Sequence, residues 1–183
     1  MQEEFQQWTL EAIRKEGTRL SWLEEKRSEW TPLLASTLKK LLNGYTFIIM
    51  NDSDYEWFAE YMLFSLNKPV KSRPFVPFVS VKSLFPNINA LKSNEDFALF
   101  EDMLSLMFGG NYTFFYIGKS NDIKYQIAKR KYDSFLWIIG EQVQNSFYLE
   151  LTDERLDIKL LELFKLLNRS IDAVLSAEVS LED

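Results

Sequence analysis

The sequence predicts an α/β protein in which a mainly parallel five-stranded sheet lies between two layers of helices. Three observations support this three-layer α/β/α sandwich. Short apolar runs rich in aromatic and β-branched residues recur along the chain, as in buried strands. Amphipathic stretches of about 10 to 15 residues separate them, which is typical of strand–helix–strand units with right-handed crossovers. No repeat or Gly/Ser-rich linker divides the chain, so we expect one domain over residues 1–183.

Two helices are expected before the first strand. Residues 4–16 place apolar side chains among charges at helical spacing, and Gly17 follows as a stop signal. After the charged link WLEEKRSEW, Thr31 is the expected cap of the second helix, because Pro32 suits a first helical position. Asn43-Gly44 ends that leucine-rich stretch.

The next segments alternate between strand and helix patterns. The run YTFIIM predicts a strand buried on both faces, and Asp52 or Ser53 is the expected cap of the helix that follows. The run FVPFVSV predicts a second strand, which Pro77 places at an edge of the sheet or at a bulge. A helix is then expected over residues 94–108, with Asn94 as its cap and Gly109-Gly110 as its stop.

The rest of the chain continues the alternation and ends in a long helix. Further strands are expected at YTFFYIG, SFLWIIG and SFYLEL, with a shorter helix at NDIKYQIAKRK. The last helix, from about Leu156 to Ser176, is apolar on more than one side and must therefore be covered on more than one side. Either the sheet and neighbouring helices cover it, or part of it forms a subunit interface.

The side-chain inventory favours binding over catalysis. The chain has no histidine and no cysteine but contains 15 Phe, 8 Tyr and 5 Trp. Thiol chemistry, histidine-based triads and the usual zinc, copper and haem sites are therefore excluded. No HExxH, Walker, GxGxxG or GxSxG pattern occurs. We expect a protein that is not an enzyme and that needs no cofactor or metal.

Charge is unevenly distributed along this acidic chain, whose formal net charge is −6. Residues 61–94 carry five basic side chains and no acidic one. The five are Lys68, Lys71, Arg73, Lys82 and Lys92, expected at strand ends and in loops. Direct DNA binding usually needs a denser basic face, so we do not expect it here.

The apolar runs and the first residues predict a soluble protein. No run approaches the roughly 20 residues of a membrane-spanning helix. The start, MQEEFQQW, is acidic, whereas a secretory signal begins with positive charge and an apolar stretch. We therefore expect a cytoplasmic location and no contact with a membrane.

Two polar loops are the first places to look for a ligand, because parallel sheets bind ligands at the carboxyl ends of their strands. NDSDYEW has no glycine and contains two acids that would repel a phosphate. IGKSNDIK keeps Gly118, Lys119 and Ser120, a weak anion site at best. Helix capping is the favoured role of Ser53 and Ser120, so Ser53, Lys119 and Ser120 form at most a vestigial anion loop.

Several segments spread over nearly the whole chain carry a family resemblance. They are LNG at residues 42–44, D-S-x-x-x-W-F-x-x-Y-x-L-x-x-L-N at 52–67, Arg73-Pro74, SFLW at 134–137, and D-x-K-L-L-x-L-F-K-L at 157–166. Jointly and in this order, they resemble the HobA proteins of epsilonproteobacteria. Most are packing residues, so the signal lies in their combination.

The resemblance implies both a fold and a role. HobA proteins are similar in fold to sugar isomerase (SIS) domains, form homotetramers, and bind the N-terminal domain of the replication initiator DnaA. The resemblance therefore implies a non-catalytic adaptor that promotes ordered assembly of DnaA at the chromosomal origin. The alternative, from the SIS-like fold alone, is a phosphosugar-binding enzyme or sensor, and the loops described above lack its glycine-rich pattern.

Four residues are candidates for partner contact. DiaA-like proteins, which are similar in fold and role, use a Leu-Phe pair near the end of the last helix. Leu175 matches the leucine, but Ser176 stands where the phenylalanine would be. Trp57 and Tyr61, one helical turn apart, are candidates because aromatic anchors dominate interfaces, although packing within the protein would explain them too.

Overall fold

The computed structural model describes residues 2–69 and 73–181. Within them the chain forms eight α-helices and five strands. The helices are α1 (Gln2–Lys15), α2 (Ser21–Glu25), α3 (Arg27–Leu42), α4 (Glu56–Leu66), α5 (Val81–Leu84), α6 (Asn94–Phe108), α7 (Ile123–Ala128) and α8 (Leu156–Leu175). The strands are β1 (Thr46–Asn51), β2 (Phe78–Ser80), β3 (Tyr112–Gly118), β4 (Phe135–Ile139) and β5 (Phe147–Leu149). Single 3-10 turns occur at Gly17–Arg19, Ser53–Tyr55 and Ile88–Ala90.

The five strands form one sheet in the order β2-β1-β3-β4-β5, and every neighbouring pair is parallel. The predicted α/β class is therefore confirmed, and the sheet is entirely parallel. Strand β2 follows Pro77 and lies at the edge of the sheet, as its proline predicted. From β1 the chain adds β2 on one side and then β3, β4 and β5 on the other side, so the topological switch point of the sheet lies between β1 and β3. At this point Asn51 pairs with Ile117.

Alternate residues of each central strand enter two separate cores, one on each face of the sheet. Phe47 and Ile49 face a core shared with α1, α2, α3, α4 and α8. Their neighbours Ile48 and Met50 face a second core shared with α5, α6 and α7. Burial on both faces explains why the strand sequences are continuously apolar rather than alternating.

Helix α8 lies within the first core, against the sheet side chains, and contacts α1, α3 and α4. Its apolar residues on several sides are buried, among them Leu160, Leu163, Leu167 and Ile171. The sequence left two explanations for the wide apolar surface of α8, burial within the protein or a subunit interface. Burial against the sheet and the neighbouring helices accounts for most of that surface.

The predicted start of the second long helix is wrong. Helix α3 begins at Arg27, so Thr31 is not its cap and Pro32 lies inside it. The reason is the packing of Trp30, which is fully buried with ring centroids 5.0 Å from Phe147 and 5.5 Å from Trp137. This aromatic contact fixes the first turn of the helix. The charged link predicted before Thr31 forms α2 and the beginning of α3.

The predicted cap of α6 also needs correction, whereas its predicted stop is confirmed. Ser93, not Asn94, caps α6, because the Ser93 side chain accepts from Asp96 N while the Asp96 carboxylate accepts from Ser93 N. Gly109 ends α6 in the left-handed conformation, as predicted.

Of the basic residues in the 61–94 segment, Lys68, Arg73 and Lys92 lie in loops as expected, whereas Lys82 lies in a helix. The side chain of Arg73 is only 9% exposed, and its Nε lies 3.1 Å from Asp172 Oδ1 on α8. Lys82 lies in α5 and pairs with Glu56, while Lys71 lies outside the described residues. No helix within residues 2–69 and 73–181 combines the length and apolar character needed to cross a bilayer.

Candidate functional site

The loops after β1 and β3 meet where the parallel strands end, at their C-terminal ends, and we call this side of the sheet the carboxyl edge. The side-chain carboxylate of Asp52 connects the two loops. Asp52, which is 5% exposed, accepts a hydrogen bond from Lys119 N at 2.7 Å and another from Asp54 N at 3.0 Å. Its two oxygens take one donor each. Backbone N–H groups that could hold a ligand anion at this edge are therefore bound to a carboxylate of the chain itself.

Gly118 makes the approach of Asp52 possible. Its φ is +147°, and a Cβ at this position would lie 2.6 Å from Asp52 Oδ2 and 2.8 Å from the Tyr116 hydroxyl. That hydroxyl donates to Lys119 O at 2.6 Å and holds the turn from the other side. The glycine predicted for an anion loop thus admits an internal carboxylate.

The three residues of the predicted anion loop do not converge on a shared anion site: within the described structure Lys119 and Ser120 bind carboxylates of the chain, and Ser53 makes no side-chain hydrogen bond. Lys119 Nζ lies 2.6 Å from Asp54 Oδ2, and the Ser120 hydroxyl donates to Glu141. Ser53 is exposed in the 3-10 turn before α4. The predicted capping role of Ser53 and Ser120 is wrong, because Asp52 and Asp122 accept the capping bonds that open the turn before α4 and helix α7.

Burial and negative charge set the electrostatics of this edge. Burial raises the pKa of Asp52 above its ordinary value, and the hydrogen bonds from Lys119 N and Asp54 N oppose that shift. Burial, followed by the nearby carboxylates Asp52 and Asp54, raises the pKa of Tyr55 to about 12. Both effects disfavour a further anion at this edge. Across residues 2–69 and 73–181, no group of three acidic side chains is placed to hold a metal ion.

The outer face of α4 carries a row of exposed aromatic side chains. Trp57 is 41% exposed, Tyr61 39% and Phe64 73%, and their spacing of four and three residues places them on one side of the helix. The Tyr61 ring packs edge-on against Phe164 of α8, with centroids 5.6 Å apart. The structure therefore brings the predicted pair Trp57 and Tyr61 together at the surface. We call Trp57, Tyr61 and Phe64 the α4 aromatic face.

Comparisons with known proteins agree along the whole chain. Residues 1–181 match the family described as "HobA: DNA replication regulator". The chain belongs to the HobA family. It is 34% identical to the DNA replication regulator protein HobA of Helicobacter pylori over 185 residues, which covers 97% of this chain and 98% of that protein.

Two solved HobA structures from Helicobacter pylori share the fold. One is a crystal structure of a HobA–DnaA (domain I-II) complex, with 32% identity, a TM-score of 0.74, and coverage of 96% of this chain and 98% of that chain. The other is HobA alone, with 30% identity, a TM-score of 0.75, and coverage of 96% and 97%. The resemblance drawn from the sequence segments is confirmed.

The remaining candidates, Leu175 and Ser176, lie at the carboxyl end of α8, whereas Tyr61 contacts Phe164 near the middle of that helix. Leu175 is half-buried against the first core, and Ser176 is exposed with its hydroxyl 3.3 Å from Ala173 O. Eleven residues separate Phe164 from Leu175, a rise of about 16 Å along a helix. In this HobA-family chain the two pairs of candidates are therefore well separated.

Phe64 was missed as a contact candidate, although its position seven residues after Trp57 places it on the same helix face. A second exposed apolar row was also missed. It lies on α6, on the opposite side of the sheet, where Leu99, Leu106 and Met107 are 64%, 88% and 51% exposed. Their spacing of seven and eight residues along a helix was readable from the sequence.

A cavity of about 350 Å³ lies away from the carboxyl edge. It opens between α1 and α3, and its lining includes Lys39, Lys40 and Tyr45. Tyr45 immediately precedes β1, so the cavity lies toward the amino edge of the sheet. It is therefore not the strand-end ligand site that the parallel sheet predicts in this HobA-family chain.

Proposed function

We propose that this chain binds the N-terminal domain of DnaA and, as an adaptor, promotes ordered assembly of DnaA at the chromosomal origin. The observation that carries the proposal is the whole-chain likeness to a HobA chain that was solved together with domains I and II of DnaA. The likeness extends over both layers of helices, so the surfaces available for a partner are comparable. A replication regulator acts where the bacterial chromosome lies, and we place this one in the cytoplasm.

The α4 aromatic face is the proposed centre of DnaA contact. Tryptophan and tyrosine supply large contact areas with few rotatable bonds, which is why they dominate interface energetics. Trp57 and Tyr61 are held at their inner sides by Phe58 and Phe164, while about two fifths of each side chain stays exposed. Leu175 and Ser176 are proposed to meet the same partner at a separate contact, about 16 Å further along α8.

A homotetramer is the proposed assembly. Four subunits with closed two-fold symmetry need at least two kinds of contact surface. The exposed row on α6 supports one of them, since Leu99, Leu106 and Met107 are too apolar to be a typical solvated surface. A tetramer presents several DnaA sites at once, which raises the local concentration of DnaA without further contacts.

A catalytic role is not part of the proposal. The N–H group of Lys119 donates to Asp52, and the side chains of Lys119 and Ser120 already engage Asp54 and Glu141. A phosphosugar would have to displace these carboxylates and then remain beside them. Nothing else in the described residues favours the sugar-phosphate alternative.

Isothermal titration calorimetry of the full chain with the N-terminal domain of DnaA tests the proposal. We expect saturable binding at micromolar concentration or tighter, with one DnaA domain per chain. Size-exclusion chromatography with light scattering measures the assembly in the same samples. Absence of binding by a chain that is intact and assembled would refute the proposed function.

A further inference from the structure

A cleft of about 190 Å³ lies between the outer surface of α8 and the turn that follows α1. Its apolar lining comes from Leu20, Leu161 and Leu166, and Ile158, which is 48% exposed, lies at its opening. Small-molecule sites usually measure about 300–1,000 Å³, so this volume suits one inserted side chain better than a cofactor. We call it the α8 cleft.

Basic side chains surround the α8 cleft although the chain as a whole is acidic. Arg19, Lys165 and Arg169 line it together with two acids, Glu16 and Glu162. Both acids are already engaged. Glu16 lies 3.3 Å from Arg19 and 4.0 Å from Arg169.

Glu162 accepts a hydrogen bond from Trp22 Nε1 at 3.1 Å and lies 3.8 Å from Arg155. Lys165 is exposed and has no hydrogen-bond or ion-pair partner within the described part of the chain. The cleft thus combines an apolar floor with one uncompensated positive charge, that of Lys165, which attracts an acidic group.

The α8 cleft and the α4 aromatic face lie on the two sides of one helix. Tyr61 packs on Phe164 of α8, and Leu161, one turn before Phe164, lines the cleft. A helix with its side chains is about 10 Å across, so a single partner can span both features. Continuity with the proposed DnaA contact is what selects the occupant.

We propose that the α8 cleft receives an apolar side chain of the DnaA domain, with an acidic residue of that domain beside it facing Lys165. This inference rests on the proposed function, because the partner is the same. It gives DnaA a second contact site, on α8, in addition to the α4 aromatic face. The basic side chain at this site favours an acidic partner surface, which the aromatic face alone does not do.

Two single variants test the cleft by calorimetry with the N-terminal domain of DnaA. Ile158→Ala removes apolar contact at the opening, and Lys165→Glu reverses the uncompensated charge. We expect each to weaken binding at least fivefold at about 0.1 M salt. The loss for Lys165→Glu should shrink at about 1 M salt, where screening acts within about 3 Å.

Matched controls make the same chemical changes elsewhere. Leu42→Ala removes a side chain of similar exposure, 49%, at the end of α3, and Lys129→Glu reverses an exposed charge beside α7, on the other face of the sheet. Both should bind within twofold of the wild type. Circular dichroism verifies that all four variants are folded.

The outcomes separate this inference from the function on which it rests. If the wild type binds while Ile158→Ala and Lys165→Glu bind as tightly as their controls, the cleft assignment is overturned and the DnaA-binding role stands. If the folded, assembled wild type does not bind, both are overturned. Selective loss in the two cleft variants supports the assignment.

Discussion

Replacing Gly118 with alanine should destabilise the protein through one identifiable contact. The new methyl group would lie 2.6 Å from Asp52 Oδ2, a distance that real Cβ contacts do not adopt. Asp52 is buried and bonded to two backbone N–H groups, so it cannot swing away without losing them. The backbone also disfavours alanine, because φ at this position is +147°.

The expected size of the effect follows from these two contributions. Backbone strain of this kind costs of order 1–3 kcal/mol, and forcing an extra methyl group into a packed site costs about 1–3 kcal/mol more. Gly118→Ala should therefore lower the free energy of unfolding by about 2–6 kcal/mol. Gly109→Ala is the control, since its φ is +59° with open space around the Cβ, and it should cost only about 1–2 kcal/mol.

A double-mutant cycle in urea, followed by circular dichroism, isolates the contact. Asp52→Ala alone removes the acceptor of two N–H groups and should cost about 1–3 kcal/mol. The double variant Gly118→Ala/Asp52→Ala should be more stable than the sum of the single losses predicts, by at least about 1 kcal/mol. Additive losses would refute the idea that Gly118 serves to admit the Asp52 carboxylate.

Four other predictions concern binding, packing, pH and ligands. Trp57→Ala and Tyr61→Ala should each weaken calorimetric binding of the N-terminal domain of DnaA at least tenfold, as expected for aromatic anchors. Arg73→Ala should lower the free energy of unfolding by about 1–3 kcal/mol in urea, because Leu66 O and Asn168 Oδ1 lose their donor while solvent screens the half-exposed Asp172, and Arg73→Lys should not restore it. The hydrogen bond from Lys159 lowers the pKa of Asp153 in the folded protein. The ionised Asp153 carboxylate therefore stabilises the folded state at pH values above its unfolded pKa of about 3.9, and this stabilisation is lost as the pH falls through its lower pKa in the folded state. Asp153→Asn should therefore be less stable than the wild type at pH 7 and lose this difference in acid urea titrations. Sugar phosphates at millimolar concentration should leave the melting temperature unchanged in a thermal-shift assay.

Each of these predictions has a contrary outcome. Unchanged DnaA affinity in both aromatic variants would remove the α4 aromatic face from the interface. Full rescue by Arg73→Lys would mean that charge alone matters, not the forked guanidinium. A stability gap for Asp153→Asn that persists at low pH, or one equally present in the exposed variant Asp102→Asn, would contradict the Asp153 argument. A rise in melting temperature that saturates with sugar phosphate would reopen the phosphosugar alternative.

The strands and their order of appearance were predictable because their signal is local. Five short apolar runs bounded by turn residues are enough to indicate a parallel sheet, and Pro77 indicated either an edge strand or a bulge, of which the edge is found. The cap of α6 was also within reach. Asp96 stands three residues after Ser93 but only two after Asn94, so the capping-box spacing favoured the serine.

The start of α3 and the burial of Arg73 were not predictable from local sequence. Trp30 packs against Phe147 and Trp137, and Arg73 pairs with Asp172, so each depends on residues about a hundred positions away. For the candidate site, the sequence indicated that acids near β1 would repel a phosphate. It did not indicate that Asp52 itself occupies the backbone donors of the next loop.

The way α4 is fastened has a kinetic consequence for recognition. Asp52 caps the turn that leads into this helix, and Arg73 donates to Leu66 O at its far end while reaching Asn168 on α8. Trp57 and Tyr61 are thus pre-organised on a rigid support before any partner arrives. Little ordering entropy is lost on binding, and association should proceed in a single step without a slow conformational phase.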